Sequence, residues 1–431
     1  MNRHNTARLL AVAAVVGIAA GSLTGCSTSG ADGNADGKVT LTWWHNGTQD
    51  PLKGLWADVA AEFEADHPNV TVKVTGYQNE DLQKTLIPNA LRSNTPPDLF
   101  QSWGGGELKA QVEAGYVKDI SADVSDELDA IGPTASGWQI DGATYALPFS
   151  FGVEGFWYNK DLFAQAGITA APTTFDELND DVDKLKSAGI TPIAVGAGDK
   201  WPAAHWWYNF ALKSCSPEVL TKAQADHNFD DDCFVTAGDE LEEFLGSEPF
   251  QEGFLATPAQ QGAGSSAGLV ANGQAAMELM GHWEPGVIGG LTPDLTVPSF
   301  LGWFNFPGIT GAAGDPTAAL GGGDGFACAQ NAPKECVELL KYITSVDVQK
   351  RFGASGAGIP VTSGAETSIT DPNLAEVLNG KNSASYVQLW LDTAYGPTVG
   401  GAMNDGIVNL FAGKGSPKDI VKGMQDAAAT E

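Results

Sequence analysis

An α/β fold follows from three features of the sequence. A strand, a helix and a second strand succeed one another after residue 38, a third strand runs into a glycine triplet, and helical and extended patterns keep alternating as far as Phe306. Val39-Thr-Leu-Thr-Trp-Trp44 reads as the first strand. Trp56, Val59, Ala60 and Phe63 then recur at helical spacing, and Val70, Val72 and Val74 alternate again. This β-α-β start implies parallel strands. A helical pattern over 79–93 leads to Pro97-Asp-Leu-Phe-Gln-Ser-Trp103, a third strand that ends in Gly104-Gly105-Gly106. The extended aromatic segment 145–159 fits a crossing from one lobe to another. Beyond it, Thr174 with Glu177 forms a capping box that opens a helix to about Ala188, and 190–195 reads as a buried strand. Helical patterns recur at 203–213, 239–245 and 269–280, before a strand over 300–306.

The N-terminus indicates the compartment. Arg3 and Arg8 precede an uninterrupted small-apolar run over 9–20, followed by Leu23-Thr24-Gly25-Cys26. The run is shorter than the roughly 20 residues that span a bilayer, and no charge cluster follows it, so 1–25 reads as a signal peptide. Leu-Thr-Gly-Cys resembles the bacterial lipoprotein box, which implies that Cys26 becomes the mature N-terminus and carries a lipid. Residues 26–38 are rich in Ser, Gly, Asp and Asn, the composition of a flexible tether.

Setting Cys26 aside leaves four of the five cysteines, an even number suited to an oxidising exterior. Short loops cost the least chain entropy to close, which favours Cys215–Cys233 and Cys328–Cys336 and leaves the other two connectivities open. No C-x-x-C pair or clustered histidine accompanies them, so no zinc or other metal site is expected, nor any cofactor. The net charge is −30, and loss of Arg3 and Arg8 with the signal peptide leaves 21 basic against 53 acidic residues, or −32. Such acidity argues against nucleic acid as a partner and for a soluble chain with weak self-association. About 400 residues remain after processing, enough for two domains.

A series of short motifs runs along the chain. Thr42-Trp43-Trp44 stands ahead of a helix, His67-Pro68-Asn69-Val70 leads into the second strand, and Pro96-Pro97-Asp98-Leu99 into the third. Trp157-Tyr158-Asn159-Lys160-Asp161-Leu162-Phe163 and Pro172-Thr173-Thr174-Phe175-Asp176-Glu177-Leu178 follow. Then come Asn272-Gly273-Gln274-Ala275-Ala276-Met277 with Gly281-His282-Trp283, and Gly321-Gly322-Gly323 before a strand and helix. In this order they resemble the extracellular solute-binding proteins of carbohydrate ABC transporters, the maltose-binding-protein-like group, in its lipid-anchored actinobacterial form. The resemblance implies a two-lobe clamp crossed three times by the chain, near 146–152, 307–315 and 357–362. Lobe 1 then comprises 39–147 and about 316–358, and lobe 2 comprises 148–315 and about 359–431. It also implies a sugar in the cleft, a membrane permease as partner, and a monomer held to the outer face of the cell membrane by the lipid on Cys26. Closure around a ligand creates a shape a permease can distinguish, and only a ligand that prefers the closed form drives it.

Twelve tryptophans outnumber eight tyrosines. A pyranose presents a C–H face that packs on an indole, and its hydroxyls need paired donors and acceptors. Trp103, Trp206, Trp207, Trp283 and Trp390 are the candidate platforms, whereas Trp43 and Trp56, inside predicted elements, read as core. Ligands of open α/β sheets sit beyond the carboxyl ends of the strands. That rule selects His45, Asn46 and Gln49 after the first strand, Glu80 after the second, and Glu107 with Trp103 after the third. Further along the chain come Glu284 beside Trp283, and Asp324, whose flanking glycines let the backbone approach a ligand closely. Several platforms favour more than one bound ring, and the resemblance to actinobacterial binding proteins implies a disaccharide or short β-linked oligosaccharide, such as xylobiose or a cellulose fragment.

A secreted glycoside hydrolase is the rival reading, because aromatics and paired carboxylates also line such clefts. The tether, the lack of a recognisable acid/base segment and the motif series weigh against an enzyme. No Gly-x-Ser-x-Gly elbow lies between strand and helix, and neither glycine triplet is followed by a P-loop lysine. A binder of ions or peptides on the same fold would carry a carboxylate cluster or fixed charges in place of the tryptophans.

Overall fold

The computed structural model describes residues 37–93 and 95–431. The predicted signal peptide, Cys26 and all but the last two residues of the tether lie outside the described residues. In β1 (Val39–His45) Leu41, Trp43 and His45 are buried, and in β2 (Val70–Gly76) Val70 and Val72. The strands pair in parallel, from Val39 opposite Val70 to His45 opposite Gly76. Between them the helix Leu52–Asp66 buries Trp56, Val59, Ala60 and Phe63, the residues whose spacing predicted it. β3 (Leu99–Ser102), buried throughout, lies parallel to β1 on its other side. The Asp98 carboxylate pins that junction by accepting from N and Oγ1 of Thr42, both at 2.8 Å.

A short hairpin of β4 (Gln139–Ile140) and β5 (Ala143–Thr144) precedes the long β6 (Ala146–Val153). A second sheet follows, made of β7 (Gly155–Asn159), β8 (Ile193–Ala194), β9 (Met277–Met280) and β10 (Leu301–Asn305), in the order β10-β7-β9-β8. β11 (Ala319–Cys328) and β12 (Val387–Leu389) complete the first sheet in the order β12-β11-β3-β1-β2, with β6 also paired to β11.

The buried apolar side chains divide between the two sheets. One cluster is drawn from 41–149 and 326–361, and two more are drawn from 153–424. These are the cores of two lobes. β6 leaves the first core after Phe149 and enters the second at Val153, while β11 runs back from Leu320 to Phe326. The third passage lies beside them: Phe151 N donates to Ile359 O, and Ser150 bridges to Pro360. The second passage thus runs along β11 rather than through 307–315. That stretch stays with the second lobe, where Gly314 N donates to Lys213 O and Lys213 Nζ donates to the carbonyls of Pro316 and Ala318. Loop composition pointed to a hinge there, but the chain crosses on a glycine-rich strand.

Each lobe holds one disulfide, Cys328–Cys336 in the first and Cys215–Cys233 in the second, in the pairing that short loops favour. With sequence separations of 8 and 18, each stabilises by about 2 to 3 kcal/mol in the loop-entropy account. The expected capping box is present, with Glu177 N donating to Thr174 Oγ1 and the Glu177 carboxylate accepting from Thr174 N. The helix expected over 269–280 is instead the short helix Ser266–Ala271, a turn at Gly273 with φ +66°, and β9. All four β9 residues are buried, so the segment carries no polar alternation to distinguish strand from helix.

Candidate ligand-binding cleft

A cavity with about 1110 Å³ of empty space, its mouth included, opens between the two lobes. Pockets of this order hold small ligands. The first lobe contributes loops at the carboxyl ends of its strands. Asn46 to Leu52 follow β1, Gln78 and Asn79 follow β2, and Trp103 follows β3. Gln83, one turn into the next helical segment, completes a wall rich in carboxamides. The second lobe contributes Trp201 and His205 from the helix Trp201–Ser214, together with Gln260, Trp283 and the segment from Trp390 to Thr393. Gly323 and Asp324 of β11 and Ser150 of β6 reach the same space from the shared strands.

Asp324 sits at an irregularity in β11, where the register against β6 shifts between Asp324 and Gly325. Its Oδ1 accepts from Gln101 Nε2 at 2.6 Å and from Asn46 Nδ2 at 3.5 Å, and Asn46 Nδ2 also donates to Asn79 Oδ1 at 3.0 Å. Burial pushes the Asp324 carboxyl up to about 6, partly opposed by the donors on Gln101 and Asn46. One oxygen therefore anchors the amide network, and no donor among the described residues reaches Oδ2.

The opposite wall is aromatic. His205 stacks on Trp390, with ring centroids 4.8 Å apart and 5° between planes, while Trp283 meets Trp390 edge-on at 5.9 Å. Trp201 lies 5.1 Å from His205 and 6.2 Å from Trp283, closing the group. His205 Nδ1 is 3.2 Å from Oε2 of the buried Glu154. Trp390 can lie flat because a Cβ on Gly322 would overlap its indole nitrogen.

Two contacts join the walls. Gln49 Nε2 donates to Gln260 O at 3.2 Å, and Lys84 Nζ lies 3.5 Å from Asp392 Oδ2. Burial disfavours the Lys84 ammonium, but Asp392, Glu107 and Glu80 more than offset this and hold its pKa above the ordinary lysine value. Asp392 also accepts from Thr393 N at 2.9 Å and Asn404 Nδ2 at 3.1 Å.

The structure brings together Asn46, Gln49, Trp103, Trp283, Asp324 and Trp390 of the residues selected from sequence. The other six stand elsewhere. His45 is buried behind the loop, where its Nδ1 accepts from Gly47 N at 3.0 Å and burial lowers its pKa to about 4. Glu107 is buried and accepts from Gln83 Nε2 at 2.8 Å, so it positions a wall residue without reaching the cavity. Glu80 lies outside the lining, with its carboxyl raised by burial to about 7. Glu284 is buried against Glu278, where burial pushes Glu278 up to about 7 and Glu284 well above the carboxylate range. Trp206 and Trp207 point into the second core, stacked on Phe244 and Phe234 at 5.0 and 6.2 Å. The sequence reading overlooked Trp201, His205, Gln260, Gln83 and Asp392. Trp201 and His205 stand four residues apart on one helical face, and that spacing was the available signal.

Among the described residues, no group of three or more His, Cys, Asp or Glu could hold a metal ion. No helix among them is long and apolar enough to cross a membrane. Residues 46–350 match the family model of bacterial extracellular solute-binding proteins. The chain belongs to that family. Among solved structures, this solute-binding protein is similar to one from a study of xylan utilisation by Caldanaerobius polysaccharolyticus. That match has 27% identity and a TM-score of 0.83, and covers 90% of this chain and 99% of the other. A chitin oligosaccharide binding protein shares the fold, at 24% identity and a TM-score of 0.81, over 91% of this chain and 98% of that one. The diacetylchitobiose binding protein DasA of Streptomyces coelicolor is 27% identical over 374 residues, covering 80% of this chain and 81% of that protein. The family, the chitin oligosaccharide relative and DasA are binding proteins.

Proposed function

We propose that this chain captures a short oligosaccharide between its lobes and presents it, chemically unchanged, to the permease of an ABC importer. The observation that carries the reading is the pairing of a carboxamide wall around Asp324 with an indole and imidazole wall on the facing lobe. Indole faces suit the C–H face of a pyranose, and amides with a carboxylate suit its hydroxyls. Several indoles in one cleft favour more than one ring, and xylo- or cello-oligosaccharides are the preferred class. The similarity to a protein of xylan utilisation supports that choice. The lipid on Cys26 tethers the monomer outside the cell membrane, and β6, β11 and the segment at 359–360 that lies beside them act as the hinge.

Calorimetric titration with xylobiose, xylotriose, cellobiose, diacetylchitobiose, maltose and their monosaccharides tests the proposal. Tight binding of a di- or trisaccharide is expected, and failure of every sugar to bind would end the sugar reading. Chromatography of the same mixtures tests the glycoside hydrolase alternative, which Asp324 and Asp392 in one cleft keep in view. The sugars are expected to remain intact.

A further inference from the structure

We infer that the cleft discriminates by charge, accepting neutral oligosaccharides and rejecting those that bear a carboxylate or phosphate, through the acidic pair Asp324 and Asp392. This rests on the sugar-binding reading and narrows it. Among the described residues that line the cavity there is no lysine or arginine, and the carboxylates are Asp50, Asp324 and Asp392. Recognition of carboxylate or phosphate groups ordinarily relies on guanidinium or ammonium donors. Lys84, outside the lining, is engaged by Asp392, and Glu107 and Glu80 also act on its ammonium. The one imidazole among the described lining residues, His205, has the Glu154 carboxylate 3.2 Å from its Nδ1.

Backbone N–H groups at helix starts are the other common anion sites, and side-chain carboxyl groups occupy or flank three of those near the cleft. Asp50 Oδ1 accepts from Gly54 N at 2.9 Å in the first turn of the helix Leu52–Asp66. Asp392 Oδ1 accepts from Thr393 N at 2.9 Å, and Glu284 begins the helix that follows Trp283. Meanwhile Asp324 receives both of its protein donors on Oδ1, which leaves Oδ2 to be met by donors from the ligand. Hydroxyls supply such donors, whereas an anionic group brings acceptors and like charge. The overall charge of −30 adds a repulsive field at longer range.

The test compares matched ligands on the full chain. Xylotriose is set against the same trisaccharide carrying one glucuronic acid, with the methyl ester of that acid as a neutral control of nearly equal size. Like-charge juxtaposition costs several kcal/mol, so the acid is expected to bind at least about a hundredfold more weakly than its ester at low salt. The gap is expected to narrow at high ionic strength. Acid and ester binding within about threefold of each other would overturn the charge filter while leaving sugar binding intact. Absence of binding by xylotriose and by the other neutral oligosaccharides would instead remove the reading on which the filter rests. Asp392→Asn and Asp324→Asn, tested separately, are each expected to reduce the acid-to-ester gap to about tenfold. An unchanged gap in both folded variants would also overturn the assignment.

Discussion

The two walls of the cleft differ in how their side chains are held. On the first lobe, Asn46, Asn79, Gln101 and Asp324 form one hydrogen-bonded chain in which each group fixes the direction of the next. On the second, Trp201, His205, Trp283 and Trp390 hold one another by ring contacts, with the Glu154 carboxylate 3.2 Å from the imidazole. A hydrogen-bonded network selects orientation, because a misplaced hydroxyl leaves a buried group unpaired. An aromatic wall supplies apolar contact that tolerates rotation of the ring against it. Affinity should therefore reside mainly on one lobe and choice among isomers mainly on the other.

Substitution of Trp390 attacks the aromatic side most directly. Trp390→Ala is expected to weaken oligosaccharide binding by about 2 kcal/mol or more, roughly thirtyfold. It should reduce affinity for all bound sugars alike, as calorimetry with a pair of epimers would reveal. Asp324→Asn is expected to cost about 1.4 kcal/mol, or tenfold, and to fall unevenly on epimers that differ at one hydroxyl. Equal losses for both epimers would erase the division of labour.

Acidification probes the same carboxylate without mutation. Asp324 titrates near 6 in the folded protein, against an ordinary value of 3.8. Its contribution to folding stability is therefore complete below 3.8 and is lost as pH rises through about 6. Ligand affinity runs the opposite way, because sugar hydroxyls donate to the ionised form. Affinity should fall by up to about tenfold between pH 7 and pH 5, and Asp324→Asn should flatten the profile. Glu154→Gln keeps the shape of its side chain and removes its charge. A loss of about 0.5 to 1 kcal/mol, a few-fold, is expected, seen equally with all sugars because His205 belongs to the aromatic side.

What the sequence revealed of these walls depended on the element that carries each residue. Asn46, Gln49 and Trp103 follow strands, and the rule that ligands gather at carboxyl strand ends finds them without knowledge of packing. Trp206 and Trp207 misled because their helix, Trp201–Ser214, is buried along its whole length. Apolar residues on every face erase the periodicity that would show which side meets the cleft. Glu107 and Glu284 lie one layer behind the surface, a distinction of depth that a linear pattern does not contain. Asp392 and Gln260 come from irregular or short segments whose position depends on the closure of the whole lobe. The fold was more accessible, since Val70, Val72 and the helix of Trp56 and Phe63 show their periods openly. Only β9, too short and too buried to alternate, carries a pattern that predicts a helix.

The three passages between the lobes run side by side, and at Gly323 an added Cβ would overlap the carbonyl oxygen of Ser150 on the neighbouring strand. Strands laced together so closely can bend as a strip but cannot shear past one another without breaking their ladder. Motion that keeps this ladder intact is bending about one line, like the cover of a book about its spine. A transporter that meets this protein has a single number to read.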